Sequence, residues 1–252
     1  MDLQLKGRVA IVTGASVGLG RGIAEELGRE GCRLALVARG AERLNGVADA
    51  LAAELGERPL VIVQDITTDD AAARIRQETL AAFGQIDILV NNAGGSRPLT
   101  GLGTREEWDE AMRLNFIAGR ELAHAVVPDM QARKFGRIIN LTGGDEPVIM
   151  NAGVPPNGAV HIWAKALSRV VGKDGITVNS IPPGRLHSEQ IDDRLLPTPE
   201  AQAAWVEANC PAGYIGEPDD LSGLVAFLAS PRARYITGQV IHVDGGARRY
   251  SH

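Results

Sequence analysis

The sequence has 252 residues, of which 44% are hydrophobic, and a formal net charge of −5. This composition supports a large core and excludes an intrinsically disordered chain, and the scattered charges argue against nucleic acid or a membrane as the main partner. The two isolated cysteines, Cys32 and Cys210, fit neither a disulfide framework nor a zinc site, and with no signal peptide or membrane-spanning run in view we expect a cytoplasmic protein.

Short apolar runs alternate with helical patterns along the whole chain, and no low-complexity linker divides it. We therefore predict one α/β domain over residues 1–252, of the Rossmann type. Strands that are apolar on both faces imply a parallel sheet with helices on both faces, and right-handed crossovers make it doubly wound. The seven predicted strands cover residues 9–13, 34–38, 60–64, 86–91, 137–142, 176–181 and 240–243.

The first predicted strand leads into a glycine-rich turn and then into a helix that starts near residue 21. Gly14, Gly18 and Gly20 let the backbone turn tightly and approach a ligand closely, because they have no Cβ. The unpaired N–H groups at the start of the next helix carry the positive end of its dipole, where a pyrophosphate fits. The turn therefore predicts a dinucleotide site.

Four motifs together resemble one protein family. They lie at residues 13–20, 91–94, 236–238 and 243–246, and they read TGASVGLG, NNAG, ITG and VDGG. Their order and separations are similar to those of the short-chain dehydrogenases/reductases, and in particular of the 3-oxoacyl-[acyl-carrier-protein] reductases. The resemblance covers nearly the whole chain and implies a Rossmann fold that binds a nicotinamide dinucleotide.

The end of the second predicted strand bears on the choice of cofactor. An acidic residue there would accept bonds from the ribose hydroxyls of NAD, but this sequence has Ala38 followed by Arg39. A guanidinium can pair with a 2′-phosphate, so we predict NADP(H) in preference to NAD(H). The alternative is that Arg39 is a solvated surface charge, and Val17 supplies no second cation.

The resemblance implies further contacts with the cofactor. Asp65 would bind the adenine amino group with the Ile66 backbone beside it, although Asp65 could also cap the following helix. Ser188 would reach the nicotinamide carboxamide or the phosphates, and Lys165 would bind the ribose. The predicted cofactor residues are Gly14, Ser16, Val17, Gly18, Leu19, Gly20, Arg39, Asp65, Ile66, Asn91, Ala93, Gly94, Lys165, Pro183, Gly184 and Ser188.

The resemblance breaks at the expected catalytic residues. Typical members use an Asn, a Ser, a Tyr and a Lys four residues after the Tyr, and here Asn115 and Lys165 match two of the four. His161 stands at the Tyr position and Gly143 at the Ser position, with Thr142 one residue earlier. None of the three tyrosines in the sequence stands at helical spacing from Lys165, so none is an obvious replacement.

A polar stripe offers substitutes for the missing residues. Asn157, His161 and Lys165 are spaced by four, so they share one helix face, which we expect to line the crevice. Imidazole can donate a proton near neutral pH, although the like charge of Lys165 favours the neutral form of His161. Asp145 and Glu146 would offset that charge if they point inward. The alternatives are that both acids are solvated and that His161 only packs.

The predicted catalytic residues are therefore Asn115, His161, Lys165 and Thr142. The other histidines show no metal-ligand spacing, and we predict no metal site.

The long irregular segment at about residues 185–212 is rich in proline. The resemblance implies a mobile substrate lid here, and the alternative is an ordinary surface insertion. In this family, the helices that correspond to residues 107–133 and 157–171 pack against a second copy. The resemblance therefore implies a homotetramer or a homodimer, although the same apolar residues could belong to the core.

The leading hypothesis is an NADP(H)-dependent oxidoreductase that interconverts a carbonyl and an alcohol on a small or medium organic substrate. One alternative is a catalytically inactive NADP(H)-binding protein that has lost its chemistry with the Tyr and the Ser. Another is a non-redox enzyme on the same fold. A proton donor beside the nicotinamide would distinguish the first hypothesis from the other two.

Overall fold

The computed structural model describes residues 1–144, 146 and 149–250. Its six named strands are β1 (Val9–Thr13), β2 (Arg33–Ala38), β3 (Leu60–Val63), β4 (Ile88–Asn91), β5 (Gly136–Leu141) and β6 (Ile176–Ile181). The α-helices are α1 (Gly18–Arg29), α2 (Ala41–Leu55), α3 (Ala71–Phe83), α4 (Arg105–Met112), α5 (Ala118–Arg133), α6 (Val154–Val171), α7 (Pro199–Asn209) and α8 (Asp219–Ala229). Two π-helical segments cover Arg113–Ile117 and Gln190–Leu195, and two short 3₁₀ turns cover Gly172–Asp174 and Pro231–Ala233.

The strands form one parallel sheet in the order β3-β2-β1-β4-β5-β6. The chain therefore winds outward from β1 to β3, then returns to the other side of β1 and winds outward again to β6. This reversal between β1 and β4 is the point where open α/β sheets bind ligands, outside the carboxyl ends of the strands. The predicted doubly wound α/β fold is confirmed, and the shared strand boundaries differ from prediction by at most two residues.

Two hydrophobic clusters cover the two faces of the sheet. In β1, Ala10 and Val12 pack with Ile23 of α1 in one cluster, which also takes in residues of α2 and α8. Ile11 points the opposite way and packs with Met130 of α5 in the other, which also takes in residues of α3 and α6. All five residues of β1 are buried, as expected for a central strand that is covered on both sides.

The seventh predicted strand, at residues 240–243, does not form a regular strand of the sheet. Residues 240–243 run parallel to β6 but form two isolated bridges, Ser180 with Val240 and Pro183 with Val243. The Ser180 N–H donates to the Gln239 carbonyl at 2.9 Å, and the next donor in a parallel ladder would come from residue 182. Residues 182 and 183 are both prolines and carry no N–H, so the ladder is interrupted there.

Within the described part of the chain, every helix is too short or too polar to cross a membrane.

Candidate functional site

The glycine-rich turn after β1 has the backbone geometry that the sequence predicts. Gly14 and Gly18 adopt φ of +67° and +53°, in the left-handed region that favours glycine. A Cβ on Gly20 would lie 2.2 Å from the Gly14 carbonyl oxygen and 2.4 Å from Asn92 Nδ2. A side chain at residue 20 would therefore displace the turn.

The start of α1 is open to an anion. Val17 occupies the N-cap position with extended backbone, and no side chain of the described residues caps the helix. The first turn holds no acidic residue, and Ser16 and Leu19 flank the cap half-buried. The first N–H groups of a 12-residue helix thus keep the positive end of its dipole at the switch point of the sheet.

The second motif is tied to this turn through residues that the sequence interpretation did not single out. Asn92 Nδ2 donates to the carbonyl oxygens of Thr13 at 3.0 Å and Gly14 at 3.3 Å. Thr13 Oγ1 in turn accepts from the backbone N–H of Asn92 and of Ala93, both at 3.0 Å. These bonds hold the end of β4 against the end of β1, so that Ala93 lies beside the turn.

Asn91 connects the end of β4 to its other neighbours. Its Nδ2 donates to Asn140 Oδ1 on β5 at 3.0 Å and to the Gly119 carbonyl on α5 at 3.2 Å. Its Oδ1 is buried and has no hydrogen-bond partner among the residues that the structure describes. Asn91 therefore braces the crevice wall, and the residue lines a cleft together with Thr13, Ile66, Ala93 and Asn115.

Asn115 lies in the π-helical segment between α4 and α5. Its Oδ1 accepts from the Gly95 N–H at 2.8 Å, and its Nδ2 donates to the Ala111 carbonyl at 3.0 Å. A Cβ on Gly94 would lie 2.9 Å from the same Oδ1, so Gly94 must lack a side chain for this contact to form. Such π-turns are frequent at functional sites, and this one fixes the loop after β4.

Arg39 and Asp65 occupy the ends of β2 and β3. Arg39 is exposed, and Asp65 Oδ1 accepts from the Thr67 N–H at 2.9 Å and from the Thr67 hydroxyl at 2.7 Å. The backbone bond from Thr67 lowers the pKa of Asp65, and the Thr67 hydroxyl and the charge of Arg39 act in the same direction. Asp65 does not cap the following helix, because Asp70 is the N-cap residue of α3.

The segment after β6 lies against the glycine-rich turn. Pro183 bridges to Val243, and a Cβ on Gly184 would lie 2.6 Å from Asp244 Cα, so the chain is tightly packed there. Farther along, Ser188 Cβ lies 3.3 Å from the position that a Cβ on Gly18 would take. Ser188 therefore lies beside the turn.

An ion pair ties the same segment to α2, because Glu189 Oε1 accepts from Arg43 Nη1 at 2.8 Å. The segment then continues as a π-helical stretch and α7.

The two candidates for the missing catalytic groups are in direct contact. His161 on α6 and Thr142 at the end of β5 are both half-buried, and His161 Nε2 lies 3.0 Å from Thr142 Oγ1. The Thr142 N–H donates to the Ile181 carbonyl at 3.1 Å, which fixes the end of β5 next to β6. The structure thus brings an imidazole and a hydroxyl together at the carboxyl edge of the sheet.

A serine at position 143 would require the Asn157 side chain to move. A Cβ on Gly143 would lie 2.7 Å from Asn157 Nδ2, and Asn157 is 8% exposed. Lys165 lies one helical turn beyond His161, and its Nζ is 3.2 Å from the position of a Cβ on Gly238. Gly238 adopts φ of +66°, so the lysine stem runs beside a residue that must be glycine.

Of the two acidic residues considered as counter-charges to Lys165, the structure describes only Glu146. Asp145 lies outside the described residues. Glu146 accepts from the backbone N–H of Arg249 at 3.2 Å and of Tyr250 at 3.1 Å, and it pairs with the Arg248 guanidinium at 3.5 Å. Glu146 therefore binds the last residues of the described chain. Among the described residues, no group of three metal-ligating side chains is placed to hold a metal ion.

Comparison with known proteins adds to this geometry. Residues 14–248 match the sequence profile of the family described as Enoyl-(Acyl carrier protein) reductase. The 3-oxoacyl-[acyl-carrier-protein] reductase FabG of Haemophilus influenzae is 36% identical over 250 residues, which span 96% of this chain and 98% of the relative. FabG of Escherichia coli (strain K12) is 34% identical over 249 residues, which span 97% and 98%.

Solved structures agree with the sequence comparisons. The L-sorbose reductase from Gluconobacter frateurii, complexed with NADPH and L-sorbose, superposes with a TM-score of 0.93 at 30% identity, covering 99% of this chain and 100% of that chain. A 7α-hydroxysteroid dehydrogenase, complexed with NADH and 7-oxo glycochenodeoxycholic acid, gives 0.90 at 27% identity, covering 100% and 98%. By its motifs, its sheet and these relatives, the chain belongs to the short-chain dehydrogenase/reductase family of NAD(P)-dependent oxidoreductases.

Proposed function

We propose that this protein is an NADP(H)-dependent oxidoreductase that interconverts a carbonyl and an alcohol on a small or medium organic substrate, with His161 in the usual Tyr position. The observation that carries the proposal is the 3.0 Å contact between His161 Nε2 and Thr142 Oγ1 at the carboxyl edge of the sheet. It supports the proposal because an imidazole and a hydroxyl lie together at the edge of the sheet where the family resemblance implies the reacting carbonyl.

The residues at the switch point fit a nicotinamide dinucleotide. The uncapped start of α1 and the side-chain-free surface of Gly14 and Gly20 suit a pyrophosphate. Arg39 stands exposed at the end of β2, free to meet a 2′-phosphate, and Asp65 lies near enough for the charge of Arg39 to lower its pKa. Among the solved relatives, the L-sorbose reductase was crystallised with NADPH, which supports the same cofactor here.

The proposed proton transfer uses the contact between His161 and Thr142. When bound, the reduced nicotinamide supplies a hydride to the carbonyl carbon. The protonated imidazole of His161 donates from Nε2 to Thr142 Oγ1, and the Thr142 hydroxyl proton passes to the substrate oxygen. This transfer leaves an alcohol, a restored threonine hydroxyl and a neutral imidazole, which regains its proton from water because His161 is half-buried rather than sealed.

Two further predicted catalytic residues take supporting roles in this proposal. Both polar atoms of the Asn115 amide are hydrogen-bonded, to Gly95 and Ala111, so the side chain holds the loop after β4 in place. Lys165 binds the ribose, and its stem is positioned by Gly238.

The decisive experiment combines cofactor binding with turnover. NADPH and NADH are titrated by fluorescence, and NADPH oxidation is then followed with acetoacetyl-coenzyme A, L-sorbose, a steroid ketone and phenanthrenequinone. His161→Ala should abolish turnover and leave NADPH binding intact. The control is His124→Ala, which removes a histidine that bonds Trp163 between α5 and α6. NADPH binding without turnover of any substrate would favour the inactive binding protein or the non-redox enzyme.

The segment at 185–212 fits the role of a lid in the proposed enzyme. Among its described residues, Ser188 lies beside Gly18 and Glu189 pairs with Arg43, and both would have to move away for the segment to open. The exposed ion pair is worth about 0–1 kcal/mol, so it offers little resistance to opening. Glu189→Ala should therefore change the rate of NADPH release more than the stability of the fold, as stopped-flow fluorescence would show.

A homodimer or homotetramer is part of the proposal. Ile162 and Val170 on α6 are 76% and 64% exposed, which is unusual for large apolar side chains on a helix that also carries site residues. Packing against a second copy would cover them, as the family resemblance implies. Light scattering should give a mass of two or four chains, and Ile162→Asp should reduce it.

A further inference from the structure

Asn157 is a buried polar side chain that the proposed proton chemistry does not use. It lies on α6 one turn before His161 and is 8% exposed. Within the described part of the chain, its amide makes no hydrogen bond. Among the described residues, its amide atoms do not belong to the fully buried polar atoms that lack a partner. Solvent therefore reaches the amide, which leaves its N–H groups open to a bound molecule.

The place of the amide is set by Gly143. Nδ2 lies 2.7 Å from the position of a Cβ on that residue, so the nitrogen occupies the space into which a side chain at 143 would project. Residue 143 directly follows Thr142, whose hydroxyl contacts His161. The amide, the hydroxyl and the imidazole therefore gather at one end of β5, and the missing Cβ is what makes room for the first of them.

We propose that Asn157 Nδ2 donates a hydrogen bond to the carbonyl oxygen of the substrate and stabilises the negative charge that develops there during reduction. This inference rests on the proposed function. A primary amide is a neutral donor at every accessible pH, so it complements His161 without adding a charge beside Lys165. No bond to Asn157 is made or broken in the reaction, and the proton that completes the alcohol still comes from His161 through Thr142.

The geometry also identifies a substitute for the donor. Gly143→Ser alone would force its Cβ against the amide nitrogen, so the single variant should be less stable. In the double variant Gly143→Ser/Asn157→Ala the clash disappears, and a serine hydroxyl projects into the vacated space. We therefore expect the double variant to recover activity that Asn157→Ala loses. It would not do so if Asn157 had a purely structural role.

The test measures kcat, KM, the NADPH dissociation constant and the melting temperature with the panel carbonyl that the unmodified protein reduces fastest. Asn157→Asp keeps the shape of the side chain and removes both N–H donors, and Asn157→Ala removes the group. Both should lower kcat by about 100-fold, the typical effect of removing one donor to a developing oxyanion, with NADPH affinity unchanged. The double variant should regain at least about 10-fold in kcat, together with the melting temperature that Gly143→Ser loses.

Three outcomes would overturn the inference. Asn157→Asp with kcat within about 2-fold of the unmodified protein would show that the donor is not used. Losses of kcat, NADPH affinity and melting temperature together, with no rescue in the double variant, would show a structural role. If the unmodified protein binds NADPH but reduces none of the four carbonyls, the proposed function fails and this inference fails with it.

Discussion

Arg39→Ala is the sharpest test of the cofactor proposal, because the residue is exposed at the end of β2 and its guanidinium makes no hydrogen bond or ion pair with the described residues. If its guanidinium pairs with the 2′-phosphate, the variant loses a hydrogen bond between two charged groups, which is worth about 1.5–3 kcal/mol. Solvent screening at an exposed site favours the lower end. About 1.5 kcal/mol corresponds to a loss of about 10-fold in NADPH affinity, whereas NADH, which has no 2′-phosphate, should lose less than about 2-fold.

The assay is a fluorescence titration of both nucleotides at two ionic strengths. Since a screened pair weakens with salt, the gap between NADPH and NADH should narrow as the salt concentration rises. Arg33→Ala is the matched control, because it removes the same charge from the opposite end of β2, where Arg33 pairs with Glu57 at 3.1 Å. Equal small losses for both nucleotides in Arg39→Ala, or an equal effect of Arg33→Ala, would refute the reasoning.

Three further predictions concern other parts of the structure. Gly20→Ala should weaken NADPH binding at least 10-fold, because the added Cβ would lie 2.2 Å from the Gly14 carbonyl oxygen. Gly46→Ala is the control and should not weaken binding, since a Cβ on Gly46 would have no neighbouring atom within 4 Å. Burial lowers the pKa of Arg137 to about 10, so the guanidinium stays charged at pH 7. Arg137→Leu should lower the free energy of unfolding, measured in urea, by about 2–4 kcal/mol. The reason is that three backbone carbonyls lose their hydrogen-bond donor. The pKa of Asp65 is lowered, so its stabilisation exists above about pH 3.9 and is lost as the pH falls through the lower native value. The gap in melting temperature between the unmodified protein and Asp65→Asn should therefore close in acid.

The parallel sheet and the first turn could be predicted from sequence because their signals are local. All five residues of β1 are apolar or small enough to be buried, and glycines follow at the positions where the turn needs φ above zero. The interruption beside β6 also had a signal in the sequence, since Pro182 and Pro183 cannot donate to a ladder. The prediction of a regular strand at 240–243 rested on the apolar run itself and did not consider the two prolines in the segment that pairs with it.

The contacts inside the site could not be predicted in the same way. The sequence interpretation named Thr142 and His161 separately, but their contact depends on how α6 lies against the end of β5, across 19 positions of sequence. The motif at 91–94 was recognised, but the sequence interpretation did not single out Asn92, whose side chain bonds the turn. Which of two adjacent asparagines faces β1 depends on the geometry of the chain beyond the strand end, and composition does not encode it.

The departures from the family pattern depend on one another, and this has a measurable consequence. Thr142 Oγ1 lies 3.0 Å from His161 Nε2, and a tyrosine is longer than a histidine, so His161→Tyr would press its ring or hydroxyl against Thr142. Overpacking of this kind costs about 1–3 kcal/mol, and the single variant should melt at a lower temperature and reduce carbonyls more slowly than the unmodified protein.

Adding Thr142→Ala to His161→Tyr should restore the melting temperature, because it removes the opposing hydroxyl. Activity should then need the serine as well, through Gly143→Ser with Asn157→Ala, because the donor to the substrate oxygen must fit the new acid. A His161→Tyr variant that by itself kept the melting temperature and raised kcat would show that position 161 is independent of its neighbours. In that case Thr142 and Asn157 would not form one site with it, and the set of replacements proposed for this protein would have to be abandoned.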